Sequence, residues 1–309
     1  MRKTAFLFPG QGSQKVGMLE EFWQELSLQD QQSFEESFPG LSETIGSLDQ
    51  VRIDAFAAPL VYTSAVLSAK ALLEEGVTPD ALAGFSLGEI PALWAAGMME
   101  EEGNRRLAAV RTQAMVEAAQ KSPGSMAAIL GVPAAQVRDV LKQEQEVFAV
   151  NFNTPNQTVI SGTPSKVREW SSYFKTQGGR VLPLPVQGAF HTPAMAEGSC
   201  AMARFLEDNP LKDPQLPLWA NVTGRPYPKG AGKKELLLRQ AQSPVQWVKT
   251  IESLFDQGVR TFIEVGYGNT LRNLTARILP AQPLTLLGVS DRQSAREAAA
   301  VWKGEVNNG

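Results

Sequence analysis

The stretch Gly84-Phe85-Ser86-Leu87-Gly88 has the form G-x-S-x-G and lies between an apolar run and a helix-like run. Residues 82–85 predict a buried strand, and residues 87–96 predict a helix that starts at the motif. A strand, a sharp turn, a serine and a helix in this order are typical of a nucleophile elbow, whose glycines allow close backbone packing. A glycine-rich turn capped by a serine has the same local pattern, so a second observation is needed.

That second observation is His191, the only histidine in the chain. A serine hydroxyl needs a general base to become a nucleophile, and histidine is the most frequent one. Thr192 is a suitable helix cap and Pro193 suits a first helical turn, which places His191 on a strand-to-helix turn. We therefore predict Ser86 as the nucleophile and His191 as its base. No motif marks an acidic third member, so a carboxylate and a backbone carbonyl both remain open as the group that holds the imidazole.

The order of predicted elements indicates an α/β fold with two parts. Strands and helices alternate over residues 4–121 and again after residue 192, which predicts a large, α/β-hydrolase-like part with a mostly parallel sheet. The segment between them has the order β-α-β-β-α-β of a ferredoxin-like unit. We assign residues 1–122 and 188–309 to the large part, which carries the elbow, and residues 123–187 to the inserted small part. Ser86 and His191 then flank a cleft between the two parts.

Periodicity and turn residues also predict a single helix over residues 16–38, a helix that starts at Pro59, a strand over residues 180–186 and a loop over residues 224–232.

Composition restricts the class of protein. The 309 residues carry a net charge of −3, which gives no indication of nucleic-acid binding. The one cysteine, Cys200, fits a reducing compartment. The apolar run that follows Arg2 and Lys3 is broken by Pro9 and Gly10 and is too short for a signal peptide, and no run is long enough to span a membrane. We therefore expect a cytoplasmic protein with no membrane partner.

The usual cofactor motifs are missing from the sequence. Gly10-x-Gly12 follows the first strand, but the next glycine, Gly17, falls outside the dinucleotide-binding spacing. No Walker A pattern and no Cys/His cluster with metal-ligand spacing occurs. We expect neither a cofactor nor a metal.

Several motifs in register resemble the malonyl-CoA:acyl carrier protein transacylase family over nearly the whole chain. They are Phe8-Pro9-Gly10-Gln11-Gly12-Ser13-Gln14, the elbow continued by Gly88-Glu89, Arg111 in a helical run, Gly188-Ala189-Phe190-His191 and Ser243-Pro244-Val245-Gln246-Trp247. Phe85 departs from the pattern, because the family usually has histidine directly before the nucleophile.

The resemblance implies a function and a set of roles. A malonyl group passes from malonyl-CoA through Ser86 to the phosphopantetheine thiol of acyl carrier protein, as in fatty acid biosynthesis. The backbone N–H groups of Gln11 and Leu87 are implied to hold the oxyanion. Arg111 is implied to grip the malonyl carboxylate, which suits a bidentate guanidinium.

Two further roles follow from the same resemblance. Phe190 is implied to favour malonyl over branched acyl groups. The segment of Gln246 is implied to orient His191 through a backbone carbonyl.

Three alternatives remain open at this stage. A serine thioesterase or hydrolase shares Ser86 and His191 but passes the acyl group to water. The malonyl-transfer subunit of a malonate decarboxylase-type complex shares every motif. An inactive scaffold that binds carrier protein is suggested by Phe85 alone.

Overall fold

The computed structural model describes residues 3–47 and 54–305. The strands are β1 (Lys3–Phe8), β2 (Ala81–Gly84), β3 (Ser125–Leu130), β4 (Val147–Thr154), β5 (Gln157–Gly162), β6 (Arg180–Pro183), β7 (Leu218–Ala220), β8 (Arg225–Pro226), β9 (Val259–Val265) and β10 (Thr285–Val289). The helices are α1 (Glu20–Glu25), α2 (Leu28–Ser37), α3 (Leu41–Ile45), α4 (Asp54–Glu74), α5 (Glu89–Ala95), α6 (Glu101–Lys121), α7 (Ala134–Val140), α8 (Pro164–Thr176), α9 (Ala196–Asp208), α10 (Lys233–Gln240), α11 (Trp247–Asp256), α12 (Thr270–Ile278) and α13 (Arg292–Lys303). Short 3₁₀ turns cover Ser86–Gly88 and Pro193–Met195.

The larger sheet has the strand order β10-β9-β1-β2-β7-β8. Its pairs are parallel except for β7 with β8, which is antiparallel. Alternate residues of β1 serve two different cores, since Phe6 and Phe8 join one cluster while Ala5 and Leu7 join the other. The sheet is therefore covered on both faces, and the carboxyl ends of β1, β2 and β7 lie side by side where ligands bind in such sheets.

The smaller sheet is antiparallel with the order β4-β5-β3-β6. Its elements follow the sequence order β3-α7-β4-β5-α8-β6, which is the predicted ferredoxin-like unit. Pro123 and Gly188 form a β-bridge, so the two connections to the rest of the chain run next to each other. The predicted α/β class with a mostly parallel sheet and a second, antiparallel unit is confirmed, whereas the domain limits at 122/123 and 187/188 stay a prediction.

Local chemistry corrects several predicted boundaries. The single helix over residues 16–38 is wrong: α1 and α2 are separate because Ser27 caps α2, its side chain accepting from the N–H of Asp30. The strand expected over residues 180–186 ends at Pro183. Helix α4 begins at Asp54 and retains Pro59 inside it. The expected loop over residues 224–232 contains β8, an edge strand on the larger sheet.

None of the described helices has the length and apolar character needed to cross a membrane.

Candidate active site

The elbow places Ser86 in a strained backbone conformation directly after β2. Ser86 has φ 52°, in the left-handed region that costs a residue with a Cβ about 1–3 kcal/mol. A Cβ on Gly84 would lie 2.1 Å from the Gly88 oxygen, and one on Gly88 would lie 2.0 Å from the Phe8 oxygen. Both motif glycines are therefore required by close backbone approach, and the serine hydroxyl is presented at the carboxyl end of the sheet.

Ser86 and His191 form a hydrogen-bonded pair. The distance between Ser86 Oγ and His191 Nε2 is 2.8 Å. His191 Nδ1 lies 3.0 Å from the Gln240 carbonyl oxygen and 3.2 Å from that of Ser243. Carbonyl oxygens only accept hydrogen bonds, so Nδ1 carries the proton and Nε2 is left free to accept from the serine. Two backbone carbonyls thus hold the imidazole in the tautomer that a general base requires.

Gln246 does not supply either of these carbonyls, and that prediction is wrong at the level of the residue. The Gln246 oxygen accepts from the N–H of Thr250 within α11, and its N–H donates to the Asn221 oxygen at 2.8 Å. Because α11 begins directly after Gln246, its carbonyl is used by the first helical turn. Ser243, three residues earlier in the same motif, is one of the two acceptors that orient His191.

The environment of His191 keeps the imidazole neutral. The side chain is buried, and burial lowers the pKa of His191 to about 4, with the positive charge of Arg111 as a second cause. Hydrogen bonds from Nδ1 to the two carbonyls oppose this shift. A neutral imidazole can take the proton of Ser86 as soon as substrate binds, across the whole neutral pH range.

Arg111 lies inside the same site, on α6. Its guanidinium Nη2 is 3.4 Å from Ser86 Oγ, and only 2% of the residue is exposed. Burial lowers the pKa of Arg111 to about 10, so the group stays cationic at neutral pH. The structure therefore brings together a serine, a histidine and a buried cation, which suits an acyl group that carries a negative charge.

Gln11 follows Gly10 in the loop after β1, and Leu87 lies within the elbow itself. The loop after β1 packs tightly on the elbow, since a Cβ on Gly10 would lie 2.6 Å from the Phe85 oxygen. Leu87 follows the serine in the 3₁₀ turn and is buried. The role of their N–H groups as an oxyanion hole stays a prediction.

Phe190 lies between the two parts of the molecule. Its half-buried side chain packs against the main core and also against the core on one face of the smaller sheet. A Cβ on Gly188 would lie 3.0 Å from the Phe190 ring, so this glycine makes room for the ring. A selective role for Phe190 stays a prediction.

Sequence reasoning missed a buried polar network behind the elbow. Asn221 Oδ1 accepts from the Ser86 N–H at 2.7 Å, and Asn221 Nδ2 donates to the Gly84 oxygen. The Asn221 N–H donates to Glu89 Oε1 at 3.2 Å. The same oxygen accepts from the Tyr227 hydroxyl at 2.6 Å. Asn221 thus bridges both sides of the strained turn. No local sequence pattern predicts the role of Asn221, because this residue follows a three-residue strand that lies far from the G-x-S-x-G motif in sequence.

Phe85 occupies the position where the family usually has histidine. Its ring meets the buried Trp247 ring edge-on, with centroids 5.3 Å apart and planes at 72°. The side chain is thus turned toward the core around Trp247, whereas Ser86 contacts His191 and Arg111.

We expect Phe85→His to leave a folded and active protein. The change weakens an aromatic contact worth about 0.5–1.5 kcal/mol beyond the area it buries, so we expect a modest loss of stability. Transfer rates should change by no more than about tenfold, equal to roughly 1.4 kcal/mol. Thermal unfolding and steady-state transfer assays measure the two effects. If the unsubstituted protein has no transfer activity and Phe85→His gives it activity, the chain is an inactive scaffold.

Within the described residues, no group of three or more His, Cys, Asp or Glu side chains is placed to hold a metal ion.

Comparison with known proteins places this geometry in a family. Residues 5–296 match the acyl transferase domain family. The malonyl CoA-acyl carrier protein transacylase of Bacillus subtilis (strain 168) is 34% identical over 319 residues, with 100% of both chains covered. The chain belongs to the acyl transferase family, and the predicted enzyme class is confirmed.

Solved structures agree with this assignment. The malonyl-CoA:acyl carrier protein transacylase of Helicobacter pylori has a TM-score of 0.88 at 27% identity, covering 99% of this chain and 100% of that one. A malonyl-transacylase in complex with its type II polyketide synthase acyl-carrier protein has a TM-score of 0.84 at 30% identity, covering 97% of this chain and 99% of that one. The resemblance read from the motifs is therefore confirmed along the whole chain.

Proposed function

We propose that this protein transfers a malonyl group, in the cytoplasm, from malonyl-CoA to the phosphopantetheine thiol of acyl carrier protein. The observation that carries the proposal is the contact of the Arg111 guanidinium with Ser86 Oγ at 3.4 Å, beside the bond from Ser86 to His191. A nucleophile that meets a buried cation selects an acyl group with a charged end. The similarity to malonyl transacylases over the full chain supports the same reaction.

The first half-reaction forms a malonyl ester. His191 Nε2 takes the hydroxyl proton while Ser86 Oγ attacks the thioester carbonyl carbon of malonyl-CoA. The tetrahedral oxyanion is received by the N–H groups of Gln11 and Leu87, and each such donor is typically worth about 10²–10³ in rate. The carbon–sulfur bond then breaks, and the coenzyme A thiolate leaves with the proton held by His191.

The second half-reaction reverses these roles. His191 takes the proton of the phosphopantetheine thiol, and the sulfur attacks the carbonyl carbon of malonyl-Ser86. The ester bond breaks, and Ser86 Oγ recovers the proton from His191. In both half-reactions, Arg111 holds the distal carboxylate of the malonyl group and so positions the reacting carbonyl next to His191.

The function is tested by incubation with malonyl-CoA, followed by intact mass and then by addition of carrier protein that bears its phosphopantetheine thiol. We expect one malonyl adduct that moves to the carrier thiol much faster than to water. Release of free malonate at the same rate with and without carrier would identify a hydrolase. Transfer only to a carrier subunit of a decarboxylating complex would identify the malonate decarboxylase alternative.

Arg111→Ala is expected to reduce the preference for malonyl over acetyl. A hydrogen bond to a charged group is worth about 1.5–3 kcal/mol, so the ratio of kcat/KM for malonyl-CoA to that for acetyl-CoA should fall about ten- to a hundredfold. Arg111→Lys should restore only part of the ratio, because an ammonium lacks the fork geometry of the guanidinium. The same ratio in wild type and in Arg111→Ala would mean that the carboxylate is recognised elsewhere.

A further inference from the structure

Gln240 is the last residue of α10 and contacts three members of the site from a fully buried position. Its Oε1 accepts from Arg111 Nε at 3.4 Å and from Arg111 Nη2 at 3.2 Å. Its Nε2 donates to the Ser86 carbonyl oxygen. Its own backbone carbonyl accepts from His191 Nδ1 at 3.0 Å.

The carboxamide of Gln240 satisfies both of its side-chain contacts. The guanidinium offers donors alone, and the Ser86 carbonyl is an acceptor alone, so the bridging group needs an acceptor at one end and a donor at the other. The orientation of the amide follows from the same rule, since the reversed amide would oppose donor to donor and acceptor to acceptor. A carboxylate would lack the donor, and a thioether would lack both strong groups.

The neutrality of this bridge matters for the charge of Arg111. Among the described residues, the hydrogen bonds of the Arg111 guanidinium go to Gln240 and to Ser86 Oγ, and neither of these groups is an anion. The guanidinium is thus held in place while its positive charge is left for a substrate carboxylate. Glu89 is the carboxyl group that acts on Arg111 through space, and burial raises the pKa of Glu89 to about 7.

We propose that Gln240 is a positioning residue that fixes Arg111 relative to Ser86 and thereby sets the preference for a carboxylate-bearing acyl group. This proposal rests on the proposed function, because it assigns the carboxylate to Arg111. The backbone carbonyl of Gln240 orients His191 independently of the side chain. Side-chain substitutions therefore separate the selective role from the orientation of the base.

Gln240→Met and Gln240→Glu test the proposal, with Gln242→Met as the matched control. Methionine keeps the approximate length and removes both polar contacts. Glutamate keeps an acceptor for Arg111 but places a carboxylate where it competes with the substrate. Gln242 Nε2 donates to Ser199 Oγ. Its replacement therefore removes a nearby glutamine side-chain hydrogen bond that does not involve Arg111.

The readout is the ratio of kcat/KM for malonyl-CoA to that for acetyl-CoA. We expect this ratio to fall about tenfold or more in Gln240→Met, the size of one lost bond to a charged group, and to fall further in Gln240→Glu. In the Arg111→Ala background, Gln240→Met should change the ratio by less than about twofold, because coupled residues are not additive. The control should keep the wild-type ratio. The limb that belongs to His191 should not move in Gln240→Met, because the contact with His191 Nδ1 is made by the backbone carbonyl.

The outcomes discriminate clearly. Equal losses for the two substrates, or a milder effect of glutamate than of methionine, would reduce Gln240 to a structural support and overturn the proposal. A fall of the ratio that persists in the Arg111→Ala background would also overturn it. If the wild type prefers malonyl and the Gln240 variants keep that preference, only this inference fails. A wild type that forms no malonyl adduct refutes the proposed function and this inference with it.

Discussion

Ser86→Ala is expected to abolish the malonyl adduct completely while the fold persists. The Ser86 hydroxyl is the group that contacts both the imidazole of His191 and the guanidinium of Arg111. Alanine keeps a Cβ and so the same backbone strain at φ 52°, which makes the fold of the variant directly comparable with that of the wild type. Intact mass after incubation with malonyl-CoA measures the adduct, and circular dichroism measures the fold.

The exposed Cys200 is the group to control for in this experiment. A thiol can accept an acyl group from a thioester without any site, and Cys200 is free and exposed. Cys200→Ser should therefore leave the adduct on Ser86 unchanged, and the Cys200→Ser/Ser86→Ala double variant should carry none. A stable malonyl adduct in that double variant would show that another residue is the nucleophile.

The elbow and the ferredoxin-like unit could be predicted because they depend on residues that are close together in sequence. The elbow could be placed because glycine spacing and the flanking apolar run reflect close backbone contacts of Gly84 and Gly88 that tolerate no Cβ. The ferredoxin-like order could be read because each of its elements is bounded by turn residues, and the sheet order β4-β5-β3-β6 follows from that chain order.

Features that depend on distant residues were not predictable. Asn221 and Gln240 reach the elbow across 135 and 154 positions of sequence, and nothing in their own neighbourhoods differs from an ordinary strand end or helix end. The same limit explains the error at Gln246. The motif identifies the segment that approaches His191, but only the start of α11 decides which carbonyls remain available.

His191→Ala is expected to lower the rate of transfer by about 10²–10⁴, the usual contribution of a general base. The sequence alone would place the acid limb of kcat/KM near the ordinary imidazole value of about 6.5. Burial, together with the charge of Arg111, moves the pKa of His191 to about 4. Since the neutral imidazole is the active form, the wild-type rate should stay level above this value and fall as the pH drops through about 4.

Two measurements assign that limb to His191. The chain has one histidine, so the Hε1 resonance of its imidazole in the proton spectrum follows the titration without overlap from another histidine. A titration midpoint near 6.5 would contradict the expected effect of burial.

Glu89 is a second group that could cause an acid limb, because burial raises its pKa to about 7. The substitution Glu89→Gln removes that titration while keeping an acceptor for Tyr227. A limb near pH 7 that disappears in Glu89→Gln belongs to the carboxyl group. A limb near pH 4 belongs to His191 if it survives in Glu89→Gln while circular dichroism shows that the protein is folded. If the same limb persists in the residual activity of His191→Ala, the assignment of His191 as the base is refuted.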